Sequence, residues 1–177
     1  MLSKVMEKAL NDQLNFEIYS SYLYMSMVSA LEAMNYKGAA HWMRIQVLEE
    51  LFHANKFFNY IIDREGRAIL QEIKKPQSDW KSLLDIFEDA HKHEKIVTSR
   101  ICNIVDLALT EKDHVTNSTL QWFVNEQIEE ESNGKTIIEK IKRTKSSSDG
   151  LMIIDTELAA RVLSPMTNIT TAIAAPL

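Results

Sequence analysis

The chain has 177 residues, of which 45% are hydrophobic, and this length suits a single domain with one well-buried core. Its net charge of -5, with both signs spread along the chain, excludes the basic stripe that nucleic-acid binding requires. No stretch reaches the roughly 18 to 20 apolar residues of a membrane span and no secretion signal is evident, so we expect a cytoplasmic protein that binds neither membranes nor nucleic acid.

Apolar residues recur with a period of about 3.6 along most of the chain, which predicts an all-α fold. The first helix should follow the N-cap Ser3 and end near Tyr36, where Asn35 and Gly38 mark a tight connection to the second helix. The second helix should end near Gly66. Because the connection is short, the two helices are expected to be antiparallel neighbours.

The stretch 67–80 lacks helical caps over most of its length and contains Pro76. It is long enough to cross a bundle, so the second and third helices should run in the same direction. The third helix is expected over about 81–109, and the fourth should return antiparallel to it and end near Arg143. These elements predict a four-helix bundle over about 3–143 with one long crossover.

A polar linker at 144–150 should lead to a short fifth helix over about 151–163. Its apolar positions are Ile153, Ile154, Leu158 and Val162. No docking partner for this helix is evident in the chain, so we expect it to pack against copies of itself in a homo-oligomer. Bundle, linker and fifth helix form one expected domain over 1–163, and the tail 164–177 has no periodicity, which favours disorder.

Each long helix carries an apolar stripe that is interrupted near its midpoint by a polar residue. The central acids are Glu17, Glu50, Glu94 and Glu130. Because packed helices of similar length bring their midpoints to one height, these acids should converge. An ionised carboxylate buried alone is unfavourable by several kcal/mol, and like charges held together are worse. A divalent or trivalent cation relieves this repulsion better than proton sharing does, so the sequence predicts a metal site.

Glu50 and His53 are three residues apart on the second helix, where a carboxylate oxygen and an imidazole nitrogen can reach one ion. A zinc-protease site would need two histidines in the order H-E-x-x-H, and this helix offers only His53 at its centre. Oxygen-rich ligation with one imidazole favours iron or manganese, although zinc also occupies such sites. Iron is the leading candidate.

Further acids flank the central stripes. Gln127 shares the inner stripe with Glu130, whereas three glutamates lie beside the stripes, namely Glu49, Glu126 and Glu129. Acidic runs are usually a solvated face of a helix. Their place beside the central acids also fits an adjacent, more open carboxylate site.

Two other positions are open to more than one interpretation. Tyr24 shares a face with Glu17, and both a core tyrosine bonded to a buried acid and a phenol that donates an electron to a metal centre fit this position. His91 lies on the third stripe, and we interpret it as a neutral core histidine rather than a ligand. The lone Cys102 is predicted to pack as a small core residue in a reducing compartment.

Four motifs carry the central residues. They are Glu17-x-Tyr19-Ser20-x-x-Leu23-Tyr24, Glu49-Glu50-x-x-His53, His93-Glu94, and Leu120-Gln121-Trp122-Phe123-Val124-x-Glu126-Gln127-x-Glu129-Glu130-Glu131. Through these motifs the chain resembles the non-haem bacterial and archaeal ferritins over residues 2 to about 163. The resemblance implies a ferritin-like four-helix bundle with a short fifth helix, iron storage, and ferroxidase activity that oxidises Fe(II) to Fe(III) with O2 or H2O2.

The resemblance also implies a set of ligands. Glu17, Glu50 and His53 would hold one iron, and Glu50 would bridge to a second iron held also by Glu94 and Glu130. Gln127 would lie near bound oxygen species. A third iron site would use the flanking acids Glu49, Glu126 and Glu129, with help from Glu130. Subunits would assemble as twenty-four copies around a hollow mineral store, with the fifth helices at the fourfold axes.

No haem is expected. Haem-binding relatives have a methionine where this chain has Leu51, and they have a second Glu-x-x-His where this chain has Gln127-x-x-Glu130.

Two other functions remain open at this point. A di-iron carboxylate oxidase or peroxidase on the same bundle would store no mineral, but such enzymes generally carry two Glu-x-x-His pairs and only one is present. A helical interaction protein without metal is disfavoured by the four central acids.

Overall fold

The computed structural model describes residues 1–163, which fold into five α-helices. They are α1 (Lys4–Ala33), α2 (Lys37–Asp63), α3 (Leu83–Thr110), α4 (His114–Arg143) and α5 (Ser148–Leu158). The predicted all-α four-helix bundle with a long crossover and a short fifth helix is confirmed. The predicted disordered tail, 164–177, lies outside the described residues.

The helix ends are set by caps and by left-handed backbone. Ser3 accepts a hydrogen bond from Met6 N at 3.0 Å and so caps α1, as predicted. The predicted ends of α1 and α2 were too late, because Asn35 and Glu65 adopt positive φ angles of 63° and 60°. A residue in this region stops helical hydrogen bonding and reverses the chain within a few residues.

The crossover between α2 and α3 is fastened to α1 by asparagine side chains. Asn11 donates from Nδ2 to Arg67 O at 3.0 Å and accepts from Ile69 N at 2.6 Å. Asn15 repeats the pattern one turn later, because its Nδ2 donates to Ile69 O at 2.8 Å and its Oδ1 accepts from Gln71 N at 2.7 Å. The two amides satisfy backbone groups of a segment that has no secondary structure of its own.

The bundle core consists of two apolar clusters with a polar layer between them. One cluster contains Met27, Leu31, Met43, Phe87 and Ile137, and the other contains Leu10, Leu14, Phe57, Ile101 and Phe123. The layer between the two clusters lies near the midpoints of the four long helices. Its buried side chains are mainly acids, amides and histidines. The fold therefore encloses a polar layer between two apolar clusters.

The expectation that α5 has no partner in its own chain is wrong, because α5 packs against α2. Ile154 and Leu158 are buried there, and Ala39 N donates to Asp155 Oδ1 at 2.8 Å. Gly38 allows this approach, since a Cβ at that position would lie 1.7 Å from Asp155 O. The helix also starts earlier and ends earlier than predicted, at Ser148 and Leu158.

One outward face of α5 stays exposed. Met152 and Ile153 are 65% and 66% exposed. Val162, which was expected within the helix, lies beyond its end and is 81% exposed.

The prediction that Cys102 packs in the core is also wrong. Its thiol is exposed, whereas its neighbour Ile101 is buried. Successive residues on a helix point about 100° apart, so the residue after a core position can face outward. Separately, none of the helices in the described range combines the length and the hydropathy that a membrane span needs.

Candidate metal centre

The four central acids all lie inside the bundle, one from each long helix. Their exposed fractions are 0% for Glu17, 1% for Glu50, 4% for Glu94 and 7% for Glu130. Each belongs to an otherwise apolar stripe, which is why the folding of amphipathic helices carries it inward. All four acids are therefore buried in the bundle interior.

Three of the central side chains form a tight group. Glu17, Glu50 and His53 each offer a ligand atom, and these atoms all lie within 4.8 Å of one another. Within the group, His53 Nδ1 lies 3.5 Å from Glu50 Oε2. Glu17 Oε2, Glu50 Oε2 and His53 Nε2 are buried without a hydrogen-bond partner.

Such unpartnered atoms are costly inside a protein unless something binds them. Two carboxylate oxygens and one imidazole nitrogen are donors that suit a divalent iron ion. The residues present thus fit an ion at this place.

Glu94 and Glu130 complete the polar layer from the other helix pair. Tyr24 donates its hydroxyl to Glu94 Oε1, and Gln127 Nε2 donates to Glu94 Oε2 at 3.4 Å. Neither acid belongs to the tight group of three, but the charges of Glu50 and Glu130 act on Glu94. The structure thus places a second pair of acids beside the first group.

Burial raises the pKa of each central acid. Burial, with the charge of Glu50 adding to it, raises the pKa of Glu17 from 4.5 to about 8. Burial and the charge of Glu130 raise the pKa of Glu50 to about 8 as well. The pKa of Glu94 is raised well above its ordinary value for the same reasons. Without a cation, the layer therefore holds protons at neutral pH.

Tyr24 is fully buried, and its hydroxyl is bonded to Glu94 as expected for a core tyrosine beside an acid. Burial and the neighbouring charge of Glu94 raise the pKa of its phenol well above 10. The hydroxyl thus keeps its proton and remains a donor to Glu94. Its role as an electron donor stays a prediction.

The flanking acids lie close enough to interact. Burial raises the pKa of Glu49, and the charges of Glu126 and Glu129 raise it further. Glu49 is also paired with Arg161, whose Nη2 reaches Glu49 Oε2. A cation held by these acids would have to share Glu49 with this guanidinium or displace it.

Arg161 was missed by the sequence argument, as were Arg100, Gln13 and Gln46. Gln13 is fully buried and donates from Nε2 to Glu17 Oε1 at 2.8 Å, while Gln46 donates to Glu50 Oε1 at 3.4 Å. A signal was present, because each glutamine stands four residues before a central glutamate and so on the same helix face.

Two other histidines lie near the layer. His93 Nε2 lies 2.7 Å from Ser20 Oγ, and burial lowers the pKa of its imidazole to about 4. His91 is only half-buried and lies against Gly134, where a Cβ would come within 3.1 Å of its Nδ1. The small residue at 134 thus makes room for the ring of His91.

The chain is similar to known proteins over most of its length. The Ferritin-like domain family matches residues 7–144. The chain is 39% identical over 161 residues to the bacterial non-heme ferritin of Staphylococcus aureus (strain USA300), covering 91% of this chain and 97% of that protein. It is 40% identical over 161 residues to the bacterial non-heme ferritin of Staphylococcus saprophyticus, covering 91% and 96%.

Two solved structures have the same architecture. The open pore ferritin from the hyperthermophilic archaeon Archaeoglobus fulgidus has a TM-score of 0.90 at 43% identity, covering 92% of this chain and 100% of that chain. A humanized archaeal ferritin has a TM-score of 0.92 at 45% identity, covering 93% and 100%.

Proposed function

The chain belongs to the ferritin family of iron-storage proteins, and we propose that its buried carboxylate centre oxidises Fe(II) to Fe(III) before the iron is stored. The observation that carries this proposal is the group of unpartnered donor atoms on Glu17, Glu50 and His53. Iron is here the substrate and the cargo of the protein, and the carboxylates are its ligands.

The proposed chemistry follows from charge. Fe(II) enters the layer and displaces protons from the central carboxyls, which then become anionic ligands. The anionic layer favours Fe(III) over Fe(II), because its attraction grows with the charge of the ion. Two Fe(II) ions lose one electron each, and the pair of electrons reduces O2 to H2O2 or H2O2 to water. The protons come from solvent and from the carboxyls.

We assign a first iron to Glu17, Glu50 and His53, and a second to Glu50, Glu94 and Glu130. This second position draws support from the burial of both added acids and from the charges that couple them to Glu50. In the same proposal, Gln127 faces the oxygen species through its amide.

The flanking acids Glu49, Glu126 and Glu129 form a third, weaker iron site in this proposal. Arg161 lowers the net charge that these acids offer to a cation, because it is already paired with Glu49. Occupancy of this site should therefore require a higher iron concentration than the central positions.

We further propose that the protein assembles as a homo-oligomeric cage of twenty-four subunits. The exposed apolar face of α5, with Met152 and Ile153, supports contacts between copies of the chain. Elution from a size-exclusion column at a mass of about half a megadalton would agree with this assembly. A small oligomer would instead favour a di-iron oxidase without storage.

Stopped-flow absorbance after mixing with Fe(II) tests the proposed oxidation. Glu50→Ala and His53→Ala should abolish the fast phase while the elution volume stays unchanged, since both remove a ligand of the first iron. Glu139→Ala is the matched control, because it removes an exposed glutamate of α4. Fast oxidation that survives in both ligand variants would refute the assignment.

A further inference from the structure

Two of the central glutamates share an arrangement that their roles as iron ligands do not explain. Gln13 precedes Glu17 by one helical turn, and Gln46 precedes Glu50 in the same way on the next helix. Both glutamines are buried, with exposed fractions of 0% and 2%. In each pair the glutamine Nε2 donates to Oε1 of the glutamate, at 2.8 Å for Gln13 and 3.4 Å for Gln46.

Each glutamine amide oxygen accepts a hydrogen bond from an arginine in another part of the chain. Arg100 of α3 donates from Nε to Gln13 Oε1 at 2.9 Å, and Arg161 after α5 donates from Nη1 to Gln46 Oε1 at 2.8 Å. A guanidinium has donors and no acceptor, so it can bind only the oxygen of an amide. The amide N–H groups must then face the glutamate.

Both guanidinium groups are themselves fixed in place. Arg100 lies over the ring of Phe16 with its Cζ 4.1 Å from the centroid and also donates to Asp12 O at 2.9 Å. Arg161 lies over the ring of Trp42 at 4.0 Å and donates to Trp42 O at 3.2 Å. Stacking and backbone contacts of this kind restrict a long side chain to one orientation.

The result is the same for both glutamates. Oε1 accepts a hydrogen bond from the glutamine amide, while Oε2 of Glu17 and Oε2 of Glu50 have no hydrogen-bond partner. We propose that Arg100 and Arg161 are positioning residues, which act through Gln13 and Gln46 to turn Oε2 of each glutamate toward the first iron. This inference rests on the proposed function, since it assigns a task at the same centre.

The arrangement also links the centre to the C-terminal part of the chain. Arg161 follows the end of α5, whose docking depends on the close approach at Gly38. Undocking α5 would remove the arginine from Gln46 and free that amide to turn. The orientation of Glu50 is thereby coupled to the docking of α5, whereas that of Glu17 is set through Arg100 of α3.

Anaerobic titration of the assembled protein with Co(II) tests the inference, because the visible absorption bands of Co(II) report its ligands. Arg100→Gln and Gln13→Met should each lower the Co(II) affinity of the centre about 10-fold and change the bands. Arg100→Lys should restore most of the affinity, since a lysine can still donate to Gln13 Oε1. Arg44→Gln is the control, because Arg44 is an exposed arginine of α2 that pairs with Glu32.

The double variant Arg100→Gln/Gln13→Met decides whether the arginine acts through the glutamine. Its loss should equal that of Gln13→Met alone, because the two residues form one path to Glu17. Additive losses, or a wild-type affinity in Arg100→Gln, would overturn the inference. The same comparison for Arg161 with Gln46 provides a second test if Arg100 variants do not assemble.

A different result would refute the proposed function itself. If His53→Ala binds Co(II) as tightly as the wild type and with the same bands, the centre is not where the ion binds, and both proposals fall. If His53→Ala loses the bands but Arg100→Gln and Arg161→Gln do not, only the positioning role is refuted.

Discussion

Binding of a redox-inactive cation such as Zn²⁺ should release protons, because the central carboxyls keep theirs in the metal-free protein. Burial raises the pKa of Glu17 and of Glu50 to about 8. At pH 7 a group with such a pKa is about 90% protonated. A cation bound by Glu17, Glu50 and His53 needs the ionised form of both carboxyls, so these two groups should together release about two protons for each ion bound there.

The same pKa values predict how Zn²⁺ affinity depends on pH. Each proton that is displaced changes the affinity by about tenfold per pH unit, or about 1.4 kcal/mol. Two protons should therefore raise the affinity nearly 100-fold between pH 6 and pH 7. The slope should flatten above pH 8, where Glu17 and Glu50 have already lost their protons.

Isothermal titration calorimetry in buffers of different ionisation enthalpy measures the number of protons released. Glu17→Gln should release about one proton fewer than the wild type, and Glu139→Ala should match the wild type. If binding releases no protons at pH 7 and the affinity is flat from pH 6 to pH 8, then the buried acids are already ionised, and the electrostatic argument for the centre is wrong.

Three further predictions concern stability, α5 and Tyr24. The free energy of unfolding of the metal-free protein should fall as the pH rises from about 5 to about 8, by about 1.4 kcal/mol per pH unit from Glu17 alone. The sign follows because Glu17 loses its proton at a lower pH in the unfolded chain than in the folded one. Zn²⁺ should remove this slope, and a melting temperature of the metal-free protein that rises with pH would contradict the prediction. Gly38→Val should undock α5 and speed proteolysis of the C-terminal segment, since a Cβ there meets Asp155 O at 1.7 Å, whereas an unchanged digest would show that the helix tolerates the side chain. Tyr24→Phe removes the hydrogen bond to Glu94, so we expect about 1 kcal/mol less stability and, if the phenol supplies an electron, loss of a tyrosyl radical signal in electron paramagnetic resonance after Fe(II) oxidation.

Helical periodicity was sufficient to predict the bundle and the place of its polar layer. The stripes that contain Glu17, Glu50, Glu94 and Glu130 become the inner faces of the four long helices, so a residue in the stripe is carried inward whatever its polarity. The i, i+3 spacing likewise placed His53 beside Glu50, because both lie on one turn of α2.

Features that depend on contacts between distant segments could not be predicted in this way. The docking of α5 rests on a missing side chain at Gly38, and periodicity does not show which surface a glycine opens. Arg100 and Arg161 reach the centre through glutamines on other helices, and nothing in the local pattern of either arginine indicates that contact. Cys102 is exposed although Ile101 beside it is buried, because adjacent residues of a helix point about 100° apart.

The central claim is that the buried carboxylates bind iron. Anomalous diffraction at the iron edge, from crystals exposed to Fe(II) without oxygen, tests it most directly. We predict two iron peaks in each subunit, one bound by Glu17, Glu50 and His53, and one bound by Glu50, Glu94 and Glu130. Iron found only on surface carboxylates, with no peak at Glu50 and His53, would contradict the account.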